Sequence, residues 1–127
     1  MFEQSFYTMK FTGRELRLLD QRKLPHEQDD VVCRNAEQVA GAIADLVVRG
    51  APAIGCAAAY GMALTAAEGG EREAALRRSA EVLGAARPTA INLNWAIERM
   101  LARSRELADA GDAEYAAAMA AEAERIE

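Results

Sequence analysis

Residues Ala51 to Ala67 read Ala-Pro-Ala-Ile-Gly-Cys-Ala-Ala-Ala-Tyr-Gly-Met-Ala-Leu-Thr-Ala-Ala, and the reading of the fold turns on them. The stretch is small and apolar on nearly every side. A helix built from it has no face to give to water, so it is expected to be surrounded by protein. Gly55 and Gly61 inside it permit close approach of neighbouring backbones. The run is mostly alanine, short of a membrane span and too weakly hydrophobic to insert well. Pro52 suits the first turn of such a helix, and Gly69-Gly70 breaks it.

Upstream, Arg49-Gly50 ends a preceding helix that starts at Asn35. Asn35 with Gln38 three places later is a capping-box start, and Val39, Ile43, Leu46 and Val47 form one helical face. Before Asn35 the period changes to two. Tyr7, Met9 and Phe11 alternate with Thr8, Lys10 and Thr12, as in a half-buried strand. Thr12-Gly13-Arg14 signals a turn, after which Leu16 and Leu18 alternate with Glu15 and Arg17, so a hairpin is expected. The stretch from Asp20 to Pro25 leaves the second strand, and Val31 to Cys33 is read as a third.

Downstream, a third helix is expected from Glu71 to Ala86, with Leu76, Ala80 and Leu83 inward and Arg72, Arg77 and Arg78 outward. Pro88 opens a fourth, where Leu93, Ile97, Met100 and Leu101 share a face. Ala110-Gly111 leads into a fifth, with Asp112 as its cap, and that helix meets Glu127 with no stop signal. The fold class is therefore α+β, a small antiparallel three-stranded sheet followed by a bundle of about five helices. Residues 1–127 read as a single domain, about 1–34 β-rich and 35–127 helical.

The chain has 127 residues, enough for one core, and 51% of them are hydrophobic. Its 15 basic and 20 acidic residues give a formal charge of -5, which argues against nucleic acid or an anionic membrane as the main partner. Cys33 and Cys56 belong to no Cys-x-x-Cys or Cys/His pattern, so neither a zinc site nor a mutual disulfide is supported. Met1 to Lys10 carries Glu3 early and has no apolar core, unlike a signal peptide. A reducing cytoplasm is the expected compartment.

Two helix starts carry the functional signal. Arg49-Gly50-Ala51-Pro52 and Arg87-Pro88-Thr89 each pair a proline in the first turn with an arginine just upstream. The first turn of a helix leaves backbone N–H groups without partners, and a Ser, Thr, Asp or Asn cap ordinarily accepts one of them. Here the expected cap positions hold Ala51 and Arg87, which accept nothing, and Gly50 and Ala51 add almost no bulk. Open N–H groups, a helix dipole and a guanidinium together suit an anion such as phosphate.

Other residues read as structural. His26 sits in a loop, Cys33 and Cys56 as inert filler, Trp95 in the core and Asp29-Asp30 in a solvated turn. Asn94, in the first turns of the fourth helix, is read as bonding a neighbouring backbone in preference to a ligand. No carboxylate pair is placed for acid–base work.

The same residues carry a family likeness. Leu19 to Pro25 (Leu-Asp-Gln-Arg-Lys-Leu-Pro), Val48 to Gly55 (Val-Arg-Gly-Ala-Pro-Ala-Ile-Gly) and Arg87 to Leu93 (Arg-Pro-Thr-Ala-Ile-Asn-Leu) occur in that order. Across nearly its whole length the chain resembles the N-terminal domain of the methylthioribose-1-phosphate isomerase family. The resemblance implies a cofactor-free aldose–ketose isomerisation in methionine salvage, from 5-methylthioribose 1-phosphate to 5-methylthioribulose 1-phosphate. It implies that Arg49, Gly50, Ala51 and Arg87 bind the phosphosugar. It also implies that the catalytic cysteine and aspartate lie in a doubly wound C-terminal domain outside this chain, so no catalytic residue and no metal ligand is assigned here. The full-length parent is expected to be a homodimer and the isolated chain inactive. Ribose-1,5-bisphosphate isomerases and regulatory subunits of the translation-initiation exchange factor share similar motifs and remain alternatives.

Overall fold

The computed structural model describes residues 9–24, 26–27 and 29–127. The strand residues Tyr7 and Thr8, the Met1 to Thr8 part of the leader reading and Pro25 lie outside them. Three strands form an antiparallel meander, β1 (Met9–Phe11), β2 (Leu16–Leu19) and β3 (Asp30–Cys33), in the order β1-β2-β3. The β1–β2 turn closes because Gly13 takes φ 96° while Thr12 and Glu15 bond each other through backbone and hydroxyl. Met9 pairs with Leu18, and Leu16 with both Phe11 and Cys33. This register puts Met9, Leu16, Leu18 and Cys33 in the core. Asp30, read in a solvated turn, is exposed but pairs with Leu19 as the first residue of β3.

Five helices follow, α1 (Ala36–Ala44), α2 (Ala51–Glu68), α3 (Arg72–Ala86), α4 (Ile91–Glu106) and α5 (Asp112–Ile126). The α+β architecture is thus as the sequence reads. Every residue of α2 from Ile54 to Ala66 is buried, and α2 packs against all four other helices. The sheet joins this core through the stacked rings of Phe11 and Tyr60, 4.6 Å apart. Small side chains make the central position workable. A Cβ on Gly61 would stand 3.2 Å from Leu83 Cδ1, so glycine there lets α3 settle closely on α2.

The Asn35 cap accepts from Gln38 N–H at 2.8 Å, as the capping box requires, while Gln38 Oε1 accepts from Arg34 N–H. The end of α1 differs from expectation. Leu46 takes φ 66°, its N–H bonds Ile43 O, and Val47 N–H reaches back to Ala42 O. That is a Schellman ending with a leucine where glycine is usual. It stops the helix at Ala44 and turns the Leu46 side chain outward, 42% exposed, whereas Val47 stays buried.

Three further readings are corrected. Trp95, read as core, is 53% exposed on the outer side of α4, because Leu93, Ala96, Ile97 and Met100 already fill the inward stripe. Arg72, read as outward, instead bonds the carbonyls of Leu107 and Ala110 where the chain leaves α4. Asp112 is not the α5 cap; Gly111 holds that position and the Asp112 carboxylate pairs with Arg72 at 3.1 Å. Among the described residues no helix is long and apolar enough to cross a membrane.

Candidate functional site

The first turns of α2 and α4 open onto one groove of about 680 Å³, and Arg49, Gly50, Ala51 and Arg87 all line it. The two arginines therefore serve one place on the surface. Leu46, Ile54, Thr89, Ala90, Ile91 and Asn92 complete the wall. None of the ten residues is an acid, a histidine or a cysteine. The groove offers hydrogen-bond donors and cationic charge, with no side chain suited to moving a proton.

Each start differs in detail from the sequence reading. The α2 cap is Gly50, at φ 93° and ψ 135°, and Ala51 is the first helical residue rather than the cap. Glycine reaches that backbone region freely, and nothing lies within 4 Å of where its Cβ would be. Gly50 O accepts from Ile54 N–H, the first bond of the helix. Pro52 has no N–H, so Ala51 and Ala53 carry the amides for which the helix has no acceptor. No side chain caps them.

At α4 the correction is larger. Pro88 lies outside the helix, and Arg87 is the residue that closes α3, not the one that opens α4. Arg87 O accepts from Ala90 N–H at 3.0 Å, so Arg87 to Ala90 form a tight turn, and Ala90 is the cap. Proline's clash with a preceding helical residue explains why α3 stops where it does. The amides of Ile91, Asn92 and Leu93 are consequently those the helix cannot satisfy, and again no side chain caps them. Asn94 Nδ2 donates to Ala90 O and Pro88 O, the backbone role read for it.

The guanidiniums are held differently. Arg49 is exposed and donates through Nη2 to Gln21 O at 2.9 Å. Arg87 is half-buried, and among the described residues neither arginine has a carboxylate partner. Sequence reasoning missed Gln21, because a backbone carbonyl carries no signature of its own; only the Leu19 to Pro25 motif marks the segment.

Beside the groove lies a second depression of about 410 Å³, sharing Ile91 and Asn92 with it and lined also by Pro52, Cys56, Trp95 and Ile126. Ile91 is 82% exposed there. Cys56 is buried at its base with Sγ 3.8 Å from Ile126 O, and burial raises its thiol pKa. Tyr60 donates to the Glu127 carboxylate nearby. Cys33 lies elsewhere, in the sheet, and exposed His26 lines neither depression.

Comparison with known proteins fits this geometry to a family. The model of the Initiation factor 2 subunit family matches residues 47–126, which include both helix starts. Methylthioribose-1-phosphate isomerase of Synechococcus sp. is 52% identical over 102 residues, covering 76% of this chain and 29% of that protein. The Pseudomonas putida enzyme of the same name is 48% identical over 122 residues, 93% of this chain and 34% of its own length. Among solved structures, 5-methylthioribose 1-phosphate isomerase from Pyrococcus horikoshii superposes with TM-score 0.84 at 35% identity, covering 94% of this chain and 35% of that one. Translation initiation factor eIF-2B, subunit delta, from A. fulgidus gives 0.85 at 38% identity, covering 96% and 36%. The chain thus spans about a third of the length of the relatives it matches. With most of the helical body matched, both helix starts included, the chain belongs to the Initiation factor 2 subunit family.

Proposed function

We propose that this chain is the phosphosugar-binding portion of a methylthioribose-1-phosphate isomerase, the aldose–ketose isomerase that yields 5-methylthioribulose 1-phosphate in methionine salvage. The observation that carries the reading is the convergence of two uncapped helix starts and two arginines without carboxylate partners on one groove. A sugar phosphate matches those donors: its oxygens accept from the amides of α2 and α4, and its charge suits both guanidiniums and both helix dipoles. Names of relatives at about 50% identity point the same way.

The groove supplies grip without acid or base, so proton transfer is assigned to groups outside this chain, in a further C-terminal domain. Exposed Ile91, on the groove wall, and Trp95, beside it, support a covering partner of that kind, since large apolar side chains exposed to water favour burial. In the same reading the full-length protein works in the cytoplasm as a homodimer and the isolated chain binds without turnover.

The likeness to the A. fulgidus eIF-2B subunit supports a second reading, a non-catalytic regulatory module. Calorimetric titration separates the candidates. The chain is expected to bind 5-methylthioribose 1-phosphate in preference to ribose 1,5-bisphosphate, and Arg49→Ala and Arg87→Ala each to lose affinity. A preference for the bisphosphate favours the other isomerase. No binding of either sugar, or mutants that bind as the parent does, rejects the groove and favours the regulatory module.

A further inference from the structure

Of the Leu19 to Pro25 motif, the described residues 19–24 line neither the groove nor the depression beside it, and phosphosugar binding leaves them without a role. Its geometry converges on Arg49. Asp20 is 2% exposed, and its carboxylate is fully engaged by one neighbour. Oδ1 accepts from Arg22 N–H at 3.1 Å and from Arg22 Nε at 2.9 Å, while Oδ2 accepts from Arg22 Nη2 at 2.8 Å. The Asp20 N–H donates to Asp29 O at 2.8 Å, tying the segment to the start of β3.

Held in this way, the single 3-10 turn Gln21–Lys23 presents Gln21 by its backbone. Gln21 N–H donates to Val47 O at 2.8 Å, and Gln21 O accepts from Arg49 Nη2 at 2.9 Å. Val47 and Val48 are 3% and 1% exposed, so the strand of chain that carries Arg49 is anchored in the core on one side and to Gln21 on the other. One edge of the guanidinium is spent on Gln21 O. A guanidinium has five N–H donors, so the remaining edges stay available to a bidentate oxyanion.

We infer that Asp20 is a positioning residue: by locking the turn through Arg22 it fixes the Gln21 carbonyl, which aims the Arg49 guanidinium along the groove before ligand arrives. The inference rests on the phosphosugar reading of that groove. An arginine gives up freedom about several rotatable bonds on binding an anion, and a side chain already fixed by a backbone acceptor has less of that freedom to lose.

Two measurements on the 127-residue chain test it. In the first, NMR follows the rotation of the Arg49 guanidinium without any ligand. Rotation is expected to be slow in the parent chain and clearly faster in Asp20→Asn, with the thermal midpoint recorded to report any general loosening. Arg22→Ala, in which the replaced side chain is nearly half exposed, gives the same readout should Asp20→Asn fold poorly. In the second, calorimetry with 5-methylthioribose 1-phosphate completes a cycle of parent, Asp20→Asn, Arg49→Ala and the double variant. Asp20→Asn is expected to weaken binding roughly two- to tenfold in the parent, the range for one pre-ordered side chain. It is expected to change nothing further once Arg49 is alanine. Equal weakening in both backgrounds, or Arg49 rotation unaltered by Asp20→Asn and Arg22→Ala, overturns the inference. Parent-like binding by Arg49→Ala instead rejects the phosphosugar reading, and the NMR arm still decides whether Asp20 aims Arg49.

Discussion

Gly55 meets the backbone of Asn92 so closely that a Cβ at position 55 would stand 3.0 Å from the Asn92 carbonyl oxygen. The crossing of α2 and α4 is therefore set by the absence of a side chain, one turn inside the α2 start and within the first turn of α4. A backbone oxygen cannot rotate aside as a side chain can. Gly55→Ala must move α4, and with it two residues of the groove wall, Ile91 and Asn92.

Three glycine replacements separate this contact from helix propensity. Alanine gains about 1 kcal/mol over glycine in a helix interior. At Gly41 nothing lies within 4 Å of the new Cβ, so Gly41→Ala is expected to stabilise by up to that amount. At Gly61 the new atom crowds the Leu83 methyl groups at 3.2 and 3.3 Å, with Val39 Cβ at an ordinary 3.5 Å, and a small rotation of Leu83 relieves the contact. Gly61→Ala should fall near neutral. At Gly55 the overpacking penalty of about 1–3 kcal/mol exceeds the gain, so Gly55→Ala is expected to be destabilised and to bind phosphosugar more weakly. Urea midpoints for the three variants check the order, and a Gly55→Ala chain at least as stable as the parent would contradict it.

Arg72 makes the turn between α4 and α5. Its Nη1 donates to Leu107 O at 3.1 Å and its Nη2 to Ala110 O at 2.6 Å, while its guanidinium lies 4.1 Å from the Tyr115 ring centre. These carbonyls follow the end of α4, where backbone acceptors lack helical partners. Arg72→Ala is expected to cost roughly 1.5–3 kcal/mol, the worth of a charged hydrogen bond, because Ala110 O loses its donor while Leu107 O keeps only the Ala110 N–H. Arg72→Lys should recover only part, since an ammonium cannot span two carbonyls and stack on the ring. Asp112→Ala, whose side chain is 89% exposed, should stay within about 1 kcal/mol of the parent. Thermal unfolding of the three variants reads the ranking directly; equal losses from Arg72→Ala and Asp112→Ala would assign the effect to the ion pair alone.

How much of this was legible follows from which forces leave a periodic trace. The alternation of Leu16 and Leu18 and the 3.6-residue spacing of Leu93, Ile97 and Met100 are direct imprints of burial, so sheet and helices read correctly. The apolar character of nearly every residue from Ile54 to Ala66 likewise announces a helix buried all round. Leu46 was misread because the helix pattern runs on through a residue whose backbone turns left-handed, a choice made by the Val47 to Ala42 hydrogen bond and not by side-chain type. Trp95 was misread because apolar character says that a residue would gain from burial, not that a neighbour is there. At the groove, Gly50 and Ala51 are legible as a helix start, whereas the Arg87-Pro88 reading fails, since Arg87 closes α3 and Pro88 precedes the first turn of α4. Tight-turn and first-turn prolines share the same fixed φ, and only the Ala90 to Arg87 bond tells them apart.

Acid should act on the pair of helices that carries the α4 side of the groove. Glu122 on α5 accepts from Arg99 Nε on α4 at 2.6 Å and from Arg125 Nη1 at 2.6 Å, with its side chain 12% exposed. The hydrogen bond from Arg99 holds its carboxyl below the ordinary value of 4.5, against the opposing pull of burial. A carboxyl lowered in the folded chain stabilises it fully above the unfolded value, and that stabilisation fades as pH falls through the folded one. Asp20, lowered by its hydrogen bond with Arg22, acts in the same sense. Glu122→Gln is thus expected to be less stable at pH 7 by about 1–2 kcal/mol and to show a shallower fall in thermal midpoint below pH 4.5 than the parent chain. Parallel curves for the two chains down to the acid transition would remove Glu122 from the account.

The two thiols offer a graded probe of the core. Cys33 is 1% exposed in β3, and burial pushes its pKa from 9.0 up to about 11. At pH 8 the reactive thiolate is then roughly one molecule in a thousand, against about one in ten for an unperturbed cysteine, before access is considered. Cys56 is 7% exposed, and its thiol is raised first by burial and then by the Glu127 carboxylate. It differs in lining the depression beside Trp95, where a reagent can approach. Titration of the native chain with a thiol-reactive chromophore at pH 8 is therefore expected to show Cys56 reacting slowly and Cys33 more slowly still, and both at once in denaturant. Because Cys33 reports the sheet and Cys56 the α2 start, Gly55→Ala should speed Cys56 and leave Cys33 as it was. Acceleration of both together would mean that the variant loosens the whole core, and the close crossing of α2 and α4 would lose its claim to govern the groove locally.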